Sequence, residues 1–587
     1  MKYLQKIWRS RWPQLKCWLR RPTTTTHAYT SWITQRIKDR QRIYQPWLEE
    51  NLFSIVTAVF DPPVTFLREL SHSILTQDYR QFEWIIVDNA CQNPSVLTEL
   101  DQLTKDRRVR IFRSSHNRGI MGGLRLALEK ATCRYIVPVD HDDRLYPDAL
   151  RVIAQTIQAF QYPPLLYTDE DKILPEGQVD HPFCKPDWDP LLFCNCCYTA
   201  HLGVMDRELA LAFDCYKDEQ AQGCPDWDAF SRFVSQGKEP MHCPEILYSW
   251  RMHAQSTATP GQNAKPYTIA GQHHLLERLL EDRGLADQLT IRANALYGDV
   301  GMWRIALKYP SNHQSSPCVE WNDAWDCLER AYQLAATNEW IEFRSSSVQP
   351  LTTRYVDELA ALFAFDEEIV CVGPCLIDQS RRIRSAGLIF GMDGLLGSPL
   401  VGKPFGDFAG YGMLINQHTV SAVRPEWSFI RGAFFRSIFS RFRKEGSLSL
   451  WAAWLGAYAR MYSKRIVFTP HIVGYWRDDE QPSWPHQDEM VRFLQSHWMV
   501  LSADPTYSIH LSLKSDRAFQ LADQADRLQS LRRALCPLAG IYDIEDLIQK
   551  AITGSALKQM QQVQAYRFSA EINDPSERLR NNVRQLF

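Results

Sequence analysis

From Phe53 onward, short apolar runs with strand character alternate with stretches whose apolar residues recur at helical spacing. That alternation constrains the fold more than any other feature. Phe53-Ser-Ile-Val-Thr-Ala-Val59 reads as a buried strand and Asp61-Pro-Pro63 as the turn after it. Between Val64 and Gln77, Phe66, Leu67, Leu70 and Ile74 fall on one helical face. A second strand, Glu83 to Asp88, ends in Asp88-Asn89-Ala90. Val96 to Leu103 is helical, and Val109 to Phe112 is a third strand. Asn117-Arg-Gly-Ile-Met-Gly-Gly123 opens a helix running to Lys130, and the next strand, Tyr135 to Val139, enters Asp140-His-Asp-Asp143. Strands alternating with helices of this length predict βαβ units, hence an α/β fold with a mostly parallel, doubly wound sheet. Such sheets bind ligands beyond the carboxyl ends of their strands. Asp61, Asp88-Asn89, Asn117 to Gly119 and Asp140 to Asp143 all fall at strand ends and should share one face.

The last of these corners carries the most chemistry. In extended backbone, residues two apart point to the same side, so Asp140 and Asp142 can face one ligand. Two converging carboxylates repel unless a cation lies between them, and hard oxygen ligands suit Mg²⁺ or Mn²⁺. The same residues can also be read as a solvated acidic turn before the helix near Pro147. Asn89 can pair with a pyrimidine edge or serve as a turn residue. Gly119, Gly122 and Gly123 permit close backbone approach to a phosphate or ribose. Arg118 and Arg125 suit phosphates or an exposed basic helix face.

Composition sets outer limits. At 587 residues, two or three domains are expected. The net charge of −2 gives no global case for nucleic acid. The fifteen cysteines are scattered, and Cys194, Cys196 and Cys197 lack paired CxxC spacing. Reduced, buried thiols in a cytoplasmic protein are therefore expected rather than zinc. No run approaches the roughly 20 apolar residues needed to span a bilayer. Met1-Lys-Tyr-Leu has no apolar stretch behind it, so a secretory leader is not expected. Residues 1–43 carry eleven basic side chains against Asp39 alone, a local charge of +10, interleaved with Trp8, Trp12, Trp18 and Trp32. Such a segment suits the anionic surface of a membrane or a helix packed on the following domain.

Further along, Leu165-Leu-Tyr-Thr-Asp-Glu-Asp-Lys172 is another strand ending in acids, and His181 to Pro190 is a proline-punctuated loop. Asp226 and Asp228 precede an apolar helix and can act as its caps. Ile246 to His253 ends a strand in a histidine, a possible third metal ligand beside Asp140 and Asp142.

Taken together, Thr57-Ala-Val-Phe-Asp-Pro-Pro63, Ile86-Val-Asp-Asn89, Asn117-Arg-Gly-Ile120, Val139-Asp-His-Asp-Asp143, Tyr167-Thr-Asp-Glu-Asp-Lys172, Lys185-Pro-Asp-Trp188, Pro225-Asp-Trp-Asp228 and Trp250-Arg-Met-His253 resemble the family 2 glycosyltransferases of GT-A fold. The likeness is to the bacterial branch that builds surface polysaccharides and includes rhamnosyltransferases, and it covers about residues 50–260. The resemblance implies a Rossmann-like, mostly parallel GT-A domain. It places Asp140 and Asp142 on the DxD motif that holds Mg²⁺ or Mn²⁺ against the diphosphate of a nucleotide sugar, with His253 beside them. It places Ala58, Asp61, Asp88 and Asn89 at a uracil or thymine base. Asn89 stands where the family often has a second aspartate, which leaves the base preference open. Asn117, Gly119 and His141 join the nucleotide-sugar site. Asp226 falls on the catalytic base for one inverting, in-line displacement. Lys185, Asp187, Trp188, His201, Trp227 and Trp250 line the sugar and acceptor pocket.

After Tyr297 to Tyr309 the chain resembles a second GT-A unit without its opening half. Trp325 to Leu334 resembles the helix before the metal strand, and Trp340-Ile-Glu-Phe-Arg-Ser-Ser-Ser347 the strand itself, with serines where acids should stand. The acidic base motif gives way to Gly446-Ser-Leu-Ser-Leu450, and Gly474-Tyr-Trp-Arg477 lacks the histidine. The expected organisation is a basic helical segment (1–50), a catalytic GT-A domain (51–295), a degenerate GT-A-like domain (296–515) and a helical tail (516–587). The expected activity is transfer of a sugar from a UDP- or dTDP-sugar to a growing cell-surface glycan, which is free or lipid-linked. The enzyme would be cytoplasmic, with peripheral contact at the inner face of the plasma membrane through residues 1–43. A non-catalytic glycan-binding scaffold is the alternative.

Overall fold

The structure, a computed structural model, describes residues 26–44, 51–253, 266–297, 301–311, 316–477, 487–501 and 504–552. Most of the expected basic segment, residues 1–25, lies outside them. The chain divides into two compact units. The first takes its described residues from 1–185 and 197–279, with 301; the second comprises 186–196, 280–298 and everything from 302 onward. Asp187 and Trp188 thus fold with the second unit, where the Asp187 N–H donates to the Pro505 carbonyl (2.8 Å) and Trp188 packs on Phe193 (ring centroids 5.1 Å apart).

In the first unit the apolar runs form strands because β-branched and aromatic residues fit a pleated, buried surface. They are β1 (Phe53–Val59), β2 (Phe82–Asp88), β3 (Val109–Arg113), β4 (Tyr135–Pro138), β5 (Arg144–Leu145), β6 (Leu165–Ile173), β7 (Val179–Phe183), β8 (Gly203–Asp206) and β9 (Met241–Arg251). Their order is β3-β2-β1-β4-β8-β6-β9-β5, with β7 on β6. The β1–β2, β2–β3, β1–β4 and β6–β9 pairs are parallel. β8 enters antiparallel between β4 and β6. All seven residues of β1 are buried, as a strand covered on both faces requires. The crossover helices start and stop within two residues of their sequence expectation, as in Val64–Leu75, Pro94–Leu103 and Gly119–Lys130. In the last of these, a Cβ on Gly123 would lie 2.7 Å from the Ala58 Cβ, so glycine lets the helix sit directly on β1.

The described part of the basic segment is one helix, α1 (Thr26–Ile43). It docks on this unit through charge. Arg40, fully buried, donates two hydrogen bonds to Asp148 (2.8 and 2.9 Å) and one to the Ile246 carbonyl (2.8 Å). Arg36 pairs with Glu245, and Tyr29 donates to Asp171. Within this helix, Arg36 and Arg40 form internal ion pairs, while Lys38 and Arg42 are exposed.

The second unit holds the pair β10 (Leu289–Ala293) and β11 (Trp303–Leu307), then β12 (Cys318–Glu320), β13 (Trp340–Arg344), β14 (Val348–Pro350), β15 (Ile369–Ile377), β16 (Ile383–Ser385), the minor strands β17 (Ile389–Phe390) and β18 (Leu396–Gly397), and β19 (His418–Val420), β20 (Trp427–Arg431) and β21 (Arg465–Trp476). The order is β12-β13-β20-β15-β21-β14. β12–β13 and β15–β21 are parallel, and β13–β20, β15–β20 and β14–β21 are antiparallel. Position by position and sense by sense, this repeats β1-β4-β8-β6-β9-β5. Among the described residues, β2 and β3 have no counterpart. The second sheet is the first one lacking the two strands that carry Asp88-Asn89 and lead to Asn117.

Candidate active site

At the carboxyl end of β4 the chain turns through Asp140 to Asp143. Carboxylate oxygens of Asp140, Asp142 and Asp143 come within 4.8 Å of one another, and they form the one such metal-competent group among the described residues. Their environments differ. Asp143 is fully buried, and its oxygens accept hydrogen bonds from the Tyr248 hydroxyl (2.5 Å) and the Arg251 N–H (2.7 Å). Burial, with Asp142 and Asp140 beside it, raises its pKa well above the usual carboxylate value. Asp143 therefore ties the turn to β9, while Asp140 and Asp142 stay partly open. Burial, reinforced by Asp142 and Asp226 and opposed by His201, pushes Asp140 up to about 6. His253, two residues beyond β9, sets its Nε2 2.7 Å from Asp142 Oδ2. Two accessible carboxylates and an imidazole at one strand end form a donor set that fits a divalent cation.

The expected nucleotide corner is assembled at the ends of β1 and β2. The Asp61 carboxylate accepts the N–H groups of Gln92 (2.9 and 3.0 Å) and Asn93 (2.9 Å), and Asp88 accepts that of Cys91 (2.9 Å). These two acids brace the turn after β2. Asn89 donates to Asn117 Oδ1 and to the Gly119 carbonyl (both 3.0 Å) and accepts from the Arg118 N–H (2.9 Å). Both amide hydrogens are engaged inside the protein, so its place in the corner is that of a bracket between two loops. The His141 ring sits 3.1 Å from the Ala58 carbonyl, holding the acidic turn against β1. Gly119 has φ +68°, and a Cβ there would meet the Gln222 amide at 2.8 Å. Gln222 was not foreseen, since nothing in its sequence neighbourhood marks it.

On the other side of the acids lies α2 (Pro225–Ser235). Asp226 stands in its first turn, where the helix dipole favours an anion, with 21% of its side chain exposed. Asp228, two residues on, is fully buried and accepts from Arg278 (2.6 Å) and Arg232 (3.2 Å). Neither caps the helix by a side-chain hydrogen bond; Asp228 is an ion-pair residue and Asp226 remains accessible. Trp227 is buried in the core beneath them.

His201 joins the two halves of the site. Its Nε2 is 3.6 Å from Asp226 Oδ2, and its Nδ1 is 3.2 Å from Glu170 Oε2. The ring stacks on Tyr248 (centroids 4.9 Å apart, planes at 13°) and abuts Trp250 (5.2 Å). Burial disfavours its charge, but the hydrogen bond to Glu170 and the nearby Asp226 and Asp140 carboxylates push its pKa up to about 9. Glu170 is buried, yet Lys172, Lys185 and His201 hold it well below the usual carboxylate range. Lys185 donates to the carbonyls of Thr168 (2.7 Å) and His201 (2.6 Å). Lys172 lies 3.7 Å over the Trp250 ring. Of the expected pocket residues, Lys185, His201 and Trp250 are gathered here and Asp187 and Trp188 are not. Glu170 was missed as a site residue. Strand periodicity in Asp169-Glu-Asp-Lys172 was the available signal, since it sends Glu170 and Lys172 to the face opposite Asp169 and Asp171.

The first unit is thus a parallel-rich α/β domain with an acidic cluster at the carboxyl end of a central strand. More particularly, residues 54–163 match the family model for glycosyl transferase family 2. Over 531 residues it is 26% identical to the uncharacterized protein y4gI of Sinorhizobium fredii, covering 79% of this chain and 58% of the relative. It is 26% identical to the O-antigen biosynthesis protein RfbC of Myxococcus xanthus, over 60% of this chain and 32% of that protein. With the putative colanic acid biosynthesis glycosyl transferase WcaA of Escherichia coli it shares 25% identity over 32% of this chain and 69% of the relative. It thus spans only 58% and 32% of the length of the first two relatives. A crystal structure of S. aureus TarS with UDP-GlcNAc superposes with a TM-score of 0.33 at 14% identity, over 40% of this chain and 70% of that one.

Proposed function

We propose that the first unit is an inverting, metal-dependent glycosyltransferase that moves a sugar from a UDP- or dTDP-sugar to a growing cell-surface glycan. The observation that carries this reading is the open pair Asp140 and Asp142, with His253 beside them, inside a family 2 domain. A divalent cation, Mg²⁺ or Mn²⁺, bound by these three residues would neutralise charge on the departing nucleoside diphosphate. The nucleotide would lie along Ala58, Asp61, Asp88, Asn89, Asn117, Gly119 and His141. Asp226 would take the proton of the acceptor hydroxyl as that oxygen attacks the anomeric carbon. A single displacement needs one basic carboxylate, and Asp226 is the accessible one of its pair. The names of RfbC and WcaA point to surface polysaccharide as the acceptor class. No described helix is long and apolar enough to cross a membrane, and a cytoplasmic enzyme working at the membrane's inner face fits such an acceptor.

The test is incubation of the protein and a lipid-linked acceptor with a panel of UDP- and dTDP-sugars, with Mg²⁺ and with a chelator. Metal-dependent transfer from one donor is the expected result. Absence both of transfer and of metal-dependent donor binding in calorimetry would replace this reading with that of a glycan-binding scaffold.

A further inference from the structure

We propose that Glu170 and His201 form a positioning pair for Asp226, with the imidazole fixing which carboxylate oxygen faces the acceptor hydroxyl; this rests on the transferase reading above. The geometry is directional. Glu170 Oε2 accepts both the His201 backbone N–H (2.5 Å) and Nδ1 (3.2 Å), so the ring is anchored from two sides. Stacking on Tyr248 and the Trp250 edge removes its remaining rotation. What is left is Nε2, directed at Asp226 Oδ2 across 3.6 Å, an ion contact rather than a hydrogen bond. A ring that gives its Nδ1 proton to Glu170 and carries no second proton would present a lone pair to a carboxylate, so the arrangement calls for the doubly protonated imidazolium. Lys172 pairs with Glu170, and Lys185 stands 3.9 Å away, which keeps the anchor itself an anion. Among the described residues, no hydrogen bond engages the other oxygen of Asp226.

The second unit supplies independent support. Its pairing Trp340 with Arg431 repeats the pairing Tyr135 with Asp206. Counted from there, Ser345 and Ser347 occupy the places of Asp140 and Asp142, and Glu426 occupies that of His201. Glu170 pairs with Tyr248, two residues before Trp250, and its counterpart Leu376 pairs with Gly474, two residues before Trp476. The acid–imidazole pair is missing from the copy that also lacks the cation carboxylates, as expected if the two serve one reaction.

The experiment uses the full chain with Mg²⁺, a lipid-linked acceptor and the panel of UDP- and dTDP-sugars, comparing wild type with His201→Ala and His201→Gln. Glutamine keeps the bulk and one donor but not the charge, so it tests the pair even where alanine disturbs folding. Both variants should lose about 100-fold in kcat with donor KM and melting temperature unchanged, and added imidazole should restore part of the His201→Ala rate. Wild-type kcat in either variant, a loss carried by KM, or a kcat loss in His201→Gln matched by a fall in its melting temperature overturns the pair while the transferase reading stands. A wild-type protein inactive with every donor overturns that reading, and the pair with it.

Discussion

At the scale of single residues, neighbouring acids do different work because their surroundings differ. Asp142 faces His253, and Asp226 keeps an accessible carboxylate, whereas Asp143 and Asp228 sit under hydrogen bonds that fix a turn and a helix. Asp142→Asn and Asp226→Asn should each lower sugar transfer by at least about 100-fold while leaving thermal melting unchanged, read from initial rates and a melt on the same preparation. Asn89→Asp is expected to cost about 1–3 kcal/mol of stability, read by denaturant unfolding, because a carboxylate would face the Asn117 oxygen and the Gly119 carbonyl that now accept from the amide. The metal and base candidates were legible because each lies in a short run at a strand or helix end. The Glu170–His201 contact was not, since it joins residues 31 positions apart on different elements and only β6–β8–β9 pairing brings them together.

At the scale of elements, α1 and β6 show charge used for architecture. Arg40 is fully buried between Asp148 and Glu245, so Arg40→Ala removes the two hydrogen bonds to Asp148, leaving that buried acid only the longer contact with Arg151 (3.6 Å), and should cost about 3–5 kcal/mol in urea unfolding. Exposed Lys38 on the same helix should be neutral within about 0.5 kcal/mol. Composition alone shows a basic, tryptophan-bearing stretch; which arginines turn inward depends on acids contributed by distant Asp148 and Glu245. On β6, burial pushes Asp171 up to about 6 despite hydrogen bonds from Tyr29, Tyr146 and Ser249. A folded-state pKa above the unfolded value favours the native state at low pH. This contribution is complete below about pH 4 and is lost as pH rises through 6. Asp171→Asn keeps an acceptor for the tyrosines and should remove a decline of about 3 kcal/mol between pH 4 and 7.5, visible as a flatter plot of unfolding free energy against pH.

At the scale of the whole molecule, one topology is used twice, and the acidic cluster stands in only one of the two copies among the described residues. Helix 325–334 and strand Trp340–Arg344 were readable from their resemblance to the metal strand of a GT-A unit and the helix before it, whereas the shared strand order became visible only through pairing, which sequence periodicity does not encode. On the proposed function, the chain should bind one nucleotide sugar per molecule in calorimetry, and Asp140→Asn with Asp142→Asn should abolish that heat. A stoichiometry of two would contradict the assignment of chemistry to the first unit. The loss of β2 and β3 has a further consequence, for colloidal behaviour. β1 is shielded by strands on both sides, but its counterpart β12 ends its sheet among the described residues, and an end strand's N–H and C=O groups invite another chain to add on. At three residues, with Cys318 and the charged Glu320 turned outward, β12 offers such a guest almost no template. Shortness and charge there protect the shortened copy from strand-to-strand association.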